Sequence, residues 1–514
     1  MTVPNFGPRR AFHPRVVGLA DLPQKRNEIA ALPGGETPFY SGFPGRFGRG
    51  RASRLARLAR ITHSTLLLVA LIGATLVLGA CSPVDDPAIS SKSQTFRLPW
   101  PDGSGAYRLQ DITLSTFHSP ERLEGDAAQI IVDPRVSGRG VVGEVPIGRW
   151  VRESGKMIPA DFVTLQGAVI YAHTEKLIDI DKSLGVASSL NGRSRIGLLA
   201  RLSETPYSPL IYNNAIFDGR IDTLFFVPFD GKELPIAFNA GIIAHEHFHR
   251  LFNAIVVQSV QRELSTRMAP EEVLAQLGFE SAAQHDHHRC TSAKALSAGD
   301  ISDDLIGSLM KQTVADDTPE EDTMIPRKVW NQTLLRGLNE GLADYWGWAY
   351  ARDEEFVGRS LGKAENENRR LDRQVFGFPT RLAFRNSLIT ITRSGAPTLK
   401  SETGRVSSAY RLGTEYARVL RGLADVSSAV HVRASVSRAF PQIASMLAQN
   451  WERRNLEPEE LLLPVVDEIF RATAAGPGIV ASALSPEQVL AVCAELRRLE
   501  AQKPVLEKHC SEAR

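Results

Sequence analysis

The chain has 514 residues and a formal net charge of +2, and it is 43% hydrophobic and 23% charged. This length accommodates two or three domains with a large buried core, and the composition is ordinary for a globular protein. The small net charge argues against a nucleic-acid-binding protein and against an acidic, solvating one. Four cysteines are too few for a disulfide scaffold.

The N-terminal part has the composition of a targeting segment. Residues 1–45 are rich in Pro, Gly, Arg and Phe without a period, which predicts a disordered extension or an over-extended start of the reading frame. Residues 46–80 join a basic stretch to an apolar run of about 15 residues, the length of a signal-peptide core and short for a membrane span. Residues 81–105 are rich in Pro, Ser, Asp and Gly and predict a tether.

The end of the apolar run, Leu78-Gly79-Ala80-Cys81, resembles a bacterial lipobox. The resemblance implies cleavage before Cys81 and lipidation of this cysteine. Several acyl chains would then anchor the protein stably, which a single chain does not. Ser82 resembles the residue that follows the cysteine in outer-membrane lipoproteins of Gram-negative bacteria. We therefore expect a lipid-anchored protein of the bacterial cell envelope, with an uncleaved signal anchor as the alternative.

Residues 106–257 are predicted to form an N-terminal α+β subdomain with a small sheet. Apolar residues at helical spacing predict an amphipathic helix over residues 160–184. Short β-branched runs bounded by Gly or Pro predict strands, and Asp218-Gly219 predicts the turn between the last two. The predicted strands cover residues 129–132, 140–146, 196–200, 210–217 and 223–229.

The stretch His245-Glu246-His247-Phe248-His249 has the form H-E-x-x-H and follows an apolar run. On a helix, residues i and i+4 share a face, so His245 and His249 can present two imidazoles to one metal ion. Glu246 lies beside them and can reach a water on that metal. The alternative is a solvated helix that happens to carry three histidines.

The strand before this helix, Asn213-Asn214-Ala215-Ile216-Phe217, together with H-E-x-x-H, resembles the thermolysin-like metallopeptidases. The resemblance implies that this edge strand pairs with the backbone of an extended peptide, through Asn214 and Ala215. An edge strand can pair with a peptide whatever its side chains, because its free N–H and C=O groups make the contacts. An ordinary hairpin with a polar edge is the alternative.

Catalytic zinc needs a third protein ligand, and Glu340 is the best candidate. The apolar pattern predicts a helix over residues 329–350, on which Glu340 and Asp344 share a face. The string N-E-x-x-x-D resembles the third-ligand motif of glutamate-zincins. It implies that Glu340 binds the metal and that Asp344 accepts an N–H from His245, which orients that ring. The alternative is two solvated carboxylates.

The 91 residues from His249 to Glu340 depart from the thermolysin-like pattern, in which this connection is short. We assign residues 258–327 to an insert that loops out over the surface. The insert contains four closely spaced candidate ligands that are either solvated or bind a second metal: His285, His287, His288 and Cys290.

Residues 328–514 are predicted to form a helical subdomain that carries the third ligand. Irregular structure is expected over about residues 353–405. Cys493 and Cys510 flank the last predicted helix and would form a disulfide in an oxidising compartment, or remain as thiols. The predicted helices cover residues 406–424, 434–453, 457–474 and 486–499.

Thermolysin-like enzymes stabilise the oxyanion with a histidine near the start of a helix in the helical half. In this chain, Tyr410 aligns with that histidine in the segment that begins Tyr410-Arg411-Leu412-Gly413. A phenol can donate a hydrogen bond to a developing oxyanion, and Arg411 is another possible donor. A packed aromatic side chain is the alternative for Tyr410.

These residues predict a zinc endopeptidase of α+β fold, with a cleft between the mixed and helical subdomains. Its partners would be a peptide or protein substrate and, through Cys81, a membrane, but no nucleic acid. Two alternatives remain open. The Glu340 segment also resembles aminopeptidase-N-like enzymes, although their Gly-x-Met-Glu-Asn segment is missing. A lipid-anchored, zinc-stabilised binding protein without turnover is the other, although a purely structural zinc site would not need Glu246.

Overall fold

The computed structural model describes a large part of the chain beyond the predicted targeting segment. The described ranges are residues 93–103, 105–137, 140–202, 210–230, 234–267, 324–361, 369–373, 377–392, 396–471, 484–499, 501 and 503–511. They belong to the second of two units, which comprise residues 1–86 and 87–514. The predicted signal, Cys81 and most of the predicted insert, with its cluster of histidines and Cys290, lie outside the described residues.

The N-terminal part contains two separate sheets where the sequence predicts one. The first has strand order β2-β1-β6-β5 and the second β4-β3-β7-β9-β8. The strands are β1 (Gln94–Pro101), β2 (Tyr107–Leu114), β3 (Ala128–Ser137), β4 (Gly140–Glu144), β5 (Trp150–Glu153), β6 (Lys156–Pro159), β7 (Ser194–Leu198), β8 (Ala215–Asp218) and β9 (Thr223–Phe226).

The predicted tether is shorter than expected, because β1 occupies part of residues 81–105. Phe96 and Leu98 are fully buried on one face of this strand. Side chains alternate between the two faces of a strand, so residues two positions apart, such as these, lie on the same buried face. Pro99 and Pro101 obscure that pattern in the sequence, since proline normally argues against a strand.

The helix predicted over residues 160–184 is present as α1 (Phe162–Ser183). Asp161 caps its N-terminus, and its side chain accepts a hydrogen bond from the Thr164 backbone N–H. The helix is followed by β7, which lies between β3 and β9 in the second sheet. The strand prediction for residues 210–217 is too long at its start, because β8 begins only at Ala215.

The H-E-x-x-H segment lies on α2 (Ala240–Phe252). α2 is followed without a gap by a π-helical turn (Asn253–Val257) and then by α3 (Gln258–Leu264). The first residues assigned to the insert therefore extend the motif helix. Val260 and Leu264 of α3 are fully buried, so these residues pack into the core rather than loop out.

The C-terminal part is mainly helical, which confirms the predicted α+β class with a mixed N-terminal part. Its elements are α4 (Arg327–Ala351), α5 (Phe356–Leu361), α6 (Arg381–Leu388), β10 (Ile389–Ile391), β11 (Pro397–Leu399), α7 (Glu402–Val426), α8 (Ala429–Asn450), α9 (Leu463–Phe470), α10 (Pro486–Arg498) and α11 (Lys503–Cys510). The stretch expected to be irregular thus contains two short helices and a two-stranded hairpin.

One hydrophobic core joins the motif helix to the helical part. The Phe248 ring on α2 lies 5.2 Å from Trp346 on α4 and 6.0 Å from Phe440 on α8, measured between ring centroids. Cys493 and Cys510, for which the sequence leaves a disulfide and two thiols as alternatives, form a disulfide that joins α10 to α11. Among the described residues, none of the helices combines the length and the apolar character that a membrane span requires.

Candidate metal centre

The start of α2 is fixed by side chains that satisfy its free backbone N–H groups. The Asn239 side chain accepts hydrogen bonds from the N–H groups of Gly241 and Ile242, at 3.1 and 3.2 Å. The Tyr107 hydroxyl accepts a further bond from the N–H of Ala240, at 2.8 Å. Helix N-termini leave such donors unpaired unless side chains or water bind them. These hydrogen bonds therefore fix the residue at which α2 begins, five residues before His245.

The two motif histidines converge as their spacing predicts. His245 Nε2 and His249 Nε2 are 3.0 Å apart, and the two side chains are nearly buried. Together with Glu246, they form a buried group whose possible ligand atoms all lie within 4.8 Å of one another. This group could hold a metal ion, because imidazole nitrogens and carboxylate oxygens are common metal ligands in proteins.

Glu340 on α4 is brought to the same place. One carboxylate oxygen lies 3.5 Å from His245 Nε2 and the other lies 3.8 Å from His249 Nε2. The side chain is 2% exposed, so its charge is almost completely removed from water. The structure thus brings the three predicted ligands together across a gap of 91 residues in the chain.

Two further side chains of α4 contact the far nitrogens of the histidine rings. Asp344 Oδ1 lies 3.0 Å from His245 Nδ1, which brings the two predicted partners into contact. Asn339 Oδ1 lies 3.1 Å from His249 Nδ1, a contact that no sequence motif indicates. An acceptor at Nδ1 places the proton there and leaves Nε2 with a lone pair for a metal ion.

Arg369 is a further residue of the site that no sequence motif indicates. Its Nε and Nη2 atoms donate to the two carboxylate oxygens of Asp344, at 3.1 and 2.5 Å, and Nη2 lies 3.6 Å from Glu340. Its guanidinium carbon lies 5.0 Å from the centre of the Tyr410 ring. Arg369 belongs to no motif, so only its position in the folded chain reveals these contacts.

Burial shifts the pKa values of Glu246 and His249 in opposite directions. Burial raises the pKa of Glu246 to about 7, and its carboxylate accepts a hydrogen bond from the Phe217 backbone N–H. Burial lowers the pKa of His249 to about 4, which favours the neutral imidazole that binds metals.

The other two members of the cluster respond mainly to their partners. Burial alone would lower the pKa of His245, but Asp344 and Glu340 raise it to about 9. Burial alone would raise the pKa of Asp344, but Arg369 and His245 hold it below its ordinary value. Asp344 therefore remains an ionised acceptor beside the His245 ring.

The predicted substrate strand lies next to this cluster. β8 is the edge strand of the second sheet and pairs only with β9 among the described strands, in antiparallel register. The Asn214 side chain accepts a hydrogen bond from the Ala215 N–H, at 2.9 Å. Because Phe217 on the same strand donates to Glu246, β8 runs directly past the predicted general base.

Tyr410 is placed near the cluster by α7. Its ring is covered by the Arg369 guanidinium, which also contacts Asp344 and Glu340. The side chain is half-buried, so part of it remains open to solvent. This position is compatible with both predictions for Tyr410, a hydrogen-bond donor or a packed aromatic side chain.

Comparisons with protein families and with curated proteins found no relative of this chain. No protein-family model matches the chain, and no curated protein is detectably similar to it. The function must therefore be inferred from the residues and geometry of this chain.

Proposed function

We propose that the chain is a zinc-dependent peptidase. The proposal rests on one observation above all, the convergence of His245, His249 and Glu340 beside Glu246 in a buried cluster. Two histidines and a carboxylate form one of the ligand sets of catalytic zinc, and a second carboxylate close by can act as a general base. We further propose that the enzyme is an endopeptidase.

In this proposal, His245, His249 and Glu340 hold the zinc ion. Their burial and the contacts of Asp344 and Asn339 with the two rings support this assignment, because such contacts orient the ligands before a metal binds. Bound zinc would polarise the scissile carbonyl and lower the pKa of water at the site.

Glu246 is the proposed general base and acid. It lies within the same buried group, and the Phe217 N–H holds one side of its carboxylate. It would accept a proton from the attacking water and deliver that proton to the leaving amine. Because Phe217 lies on β8, this hydrogen bond places the Glu246 carboxylate beside the strand that we propose binds the substrate.

Asn214 and Ala215 are proposed to bind the peptide backbone. Their location at the end of an edge strand supports this role, because an extended peptide can pair with such an edge. A substrate bound this way needs neither free terminus, which favours internal cleavage. Peptides with free and blocked amino termini distinguish this from the aminopeptidase alternative, which requires the free amine.

We also propose that the protein is exported and anchored through lipidated Cys81 in the bacterial outer membrane. The Cys493–Cys510 disulfide supports export, because disulfides form and persist mainly in oxidising compartments. A Cys81→Ser variant should leave the membrane fraction and appear in the soluble fraction. Equal membrane retention of this variant and the wild type would contradict the lipid anchor.

The decisive experiment compares Glu246→Gln with the wild type. Bound zinc should be unchanged, and hydrolysis of a peptide library should fall at least about 100-fold, because a general base contributes about that much. Glu263→Gln, at an exposed position of α3, is the matched control and should keep full activity. Wild-type hydrolysis by Glu246→Gln would exclude this mechanism. Zinc binding without any hydrolysis by the wild type would favour the binding-protein alternative.

A further inference from the structure

The motif helix α2 is buried on all sides. Each of its residues from Ala240 to Phe252 is buried, and no solvent-facing stripe distinguishes one side from another. Hydrophobic burial is non-directional, so it favours the burial of this helix without selecting which side faces the metal cluster. Directional polar contacts must therefore contribute to the rotation of α2 about its axis.

One such contact lies on the side of α2 away from the metal cluster. His247 Nε2 lies 2.7 Å from Asp181 Oδ2 on α1, and the two residues are 1% and 0% exposed. His247 is two residues from each motif histidine, which places it about 200° around the helix from both. A carboxylate can only accept, so the imidazole donates this hydrogen bond.

The surroundings of Asp181 favour the one rotation of α2 that keeps this hydrogen bond. The other carboxylate oxygen of Asp181, Oδ1, is buried without a hydrogen-bond partner among the described residues, so the contact with His247 is the one that stabilises this carboxylate. A rotation of α2 would remove the imidazole and leave a fully buried carboxylate without its hydrogen-bond donor. Buried charges without partners are strongly unfavourable, and such groups are known to specify register in helical assemblies.

We infer that His247 and Asp181 are positioning residues that, together with the polar contacts of Arg250 on the same helix, set the rotation of α2, so that His245 and His249 face Glu340 before a metal binds. This inference rests on the proposed zinc site. It assigns a function to the middle histidine of the motif, which does not face the metal. The contacts of Asp344 and Asn339 orient the two rings, whereas the His247–Asp181 pair orients the helix that carries them.

The test replaces both partners by apolar residues, Asp181→Leu with His247→Leu, in the full chain. Apolar replacement of a complete buried pair often preserves or raises stability, so the variant should keep its thermal unfolding temperature. Its affinity for Zn²⁺, measured by competition with a chelator, should fall at least about tenfold, as for other changes outside the ligand set. A folded double variant with wild-type zinc affinity would overturn the inference.

A second pair of variants covers the case in which the double variant does not fold. Asp181→Asn keeps the shape and an acceptor oxygen but removes the charge, and we expect zinc affinity to fall about threefold. Glu468→Gln is the matched control, because Glu468 is a 2% exposed carboxylate that pairs with Arg438 away from the cluster. The inference fails if Asp181→Asn binds zinc like the wild type, or if the control loses affinity equally.

The same measurements separate this inference from the proposed function. A wild-type protein that binds zinc but hydrolyses no peptide would contradict the peptidase, while the affinities of the variants would still decide the role of Asp181. Active variants with wild-type affinity would contradict only the positioning role. A wild-type protein that binds no zinc would contradict both.

Discussion

The buried cluster has an unequal balance of acidic and basic side chains. Glu246, Glu340 and Asp344 are three carboxylates, and Arg369 is the guanidinium that contacts two of them. With all three carboxylates ionised, these four groups carry two excess negative charges, which one divalent cation would balance. Without a cation, protons compensate instead, as the raised pKa values of Glu246 and His245 indicate.

Replacement of Arg369 tests this balance. Arg369→Met leaves Asp344 as a buried carboxylate without its bidentate partner, so the free energy of unfolding of the metal-free protein should fall by about 3–5 kcal/mol. Zn²⁺ should then stabilise the variant, because a ligand that binds only the folded state shifts unfolding. Chemical denaturation with and without zinc measures both effects.

Arg370 is the matched control for Arg369. It is the next residue in the chain, but its side chain is 33% exposed and pairs with Asp372 at the surface. Arg370→Met should therefore unfold like the wild type. Equal behaviour of the two variants would show that the Arg369–Asp344 contact contributes little to the cluster.

Tyr410→Phe tests the proposed oxyanion donor. The phenylalanine ring can still pack under the Arg369 guanidinium, so stability should be unchanged while the hydroxyl is lost. If Tyr410 donates to the oxyanion, kcat should fall about 100-fold with little change in KM, because the bond forms in the transition state. An unchanged kcat would assign Tyr410 a packing role and leave Arg411 as the next candidate.

At the scale of elements, the approach of α4 and α7 determines where Glu340 lies. A Cβ atom on Gly341 would lie 2.4 Å from the Gly413 carbonyl oxygen, far inside van der Waals contact. A Cβ atom on Gly413 would in turn lie 2.9 Å from the Gly337 carbonyl oxygen. The two helices can therefore cross this closely only because glycines meet at the crossing.

Gly341→Ala should separate these helices. We expect a loss of about 1–3 kcal/mol in the free energy of unfolding, since the obstructing atom is backbone and cannot move alone. Zinc affinity should also fall, because Glu340 is the preceding residue. Gly422→Ala on α7 is the control, because its new Cβ would meet only the flexible ends of the Glu495 and Arg498 side chains. Equal stability of the two alanine variants would show that the crossing can relax.

At the scale of the whole molecule, the disulfide joins the last two described helices, α10 and α11. Cys493 and Cys510 are 0% and 2% exposed and are separated by 17 residues. α11 is also attached to α9, since Lys508 and His509 both contact Asp467. α11 is therefore held by a covalent bond and by two side-chain contacts with Asp467.

Removal of this disulfide should lower the stability of the protein. A cross-link that closes a loop of this length contributes about 3 kcal/mol in the chain-entropy model, so Cys493→Ser with Cys510→Ser should unfold at a lower denaturant concentration. Addition of a reductant should destabilise the wild type and leave the double variant unchanged. A wild type that is insensitive to reductant after denaturation and refolding would contradict this contribution.

The sequence alone determined the features that depend on near neighbours. The i, i+4 spacing of His245 with His249, and of Glu340 with Asp344, already places each pair on one helix face. Apolar periodicity predicted α1, α4 and α7 within a few residues of their ends, because helical hydrogen bonds and side-chain contacts span only three or four positions.

Tertiary structure alone decided which distant side chains meet. Arg369 contacts Asp344 from 25 positions away, and His247 contacts Asp181 across 66. The division of the strands into two sheets likewise depends on pairing between segments far apart in the chain. A periodic pattern shows which face of an element is buried but not what is packed against that face. For this reason the candidate metal ligands and Asp344 could be predicted from the sequence, whereas the contacts of Arg369 and of His247 with Asp181 could not.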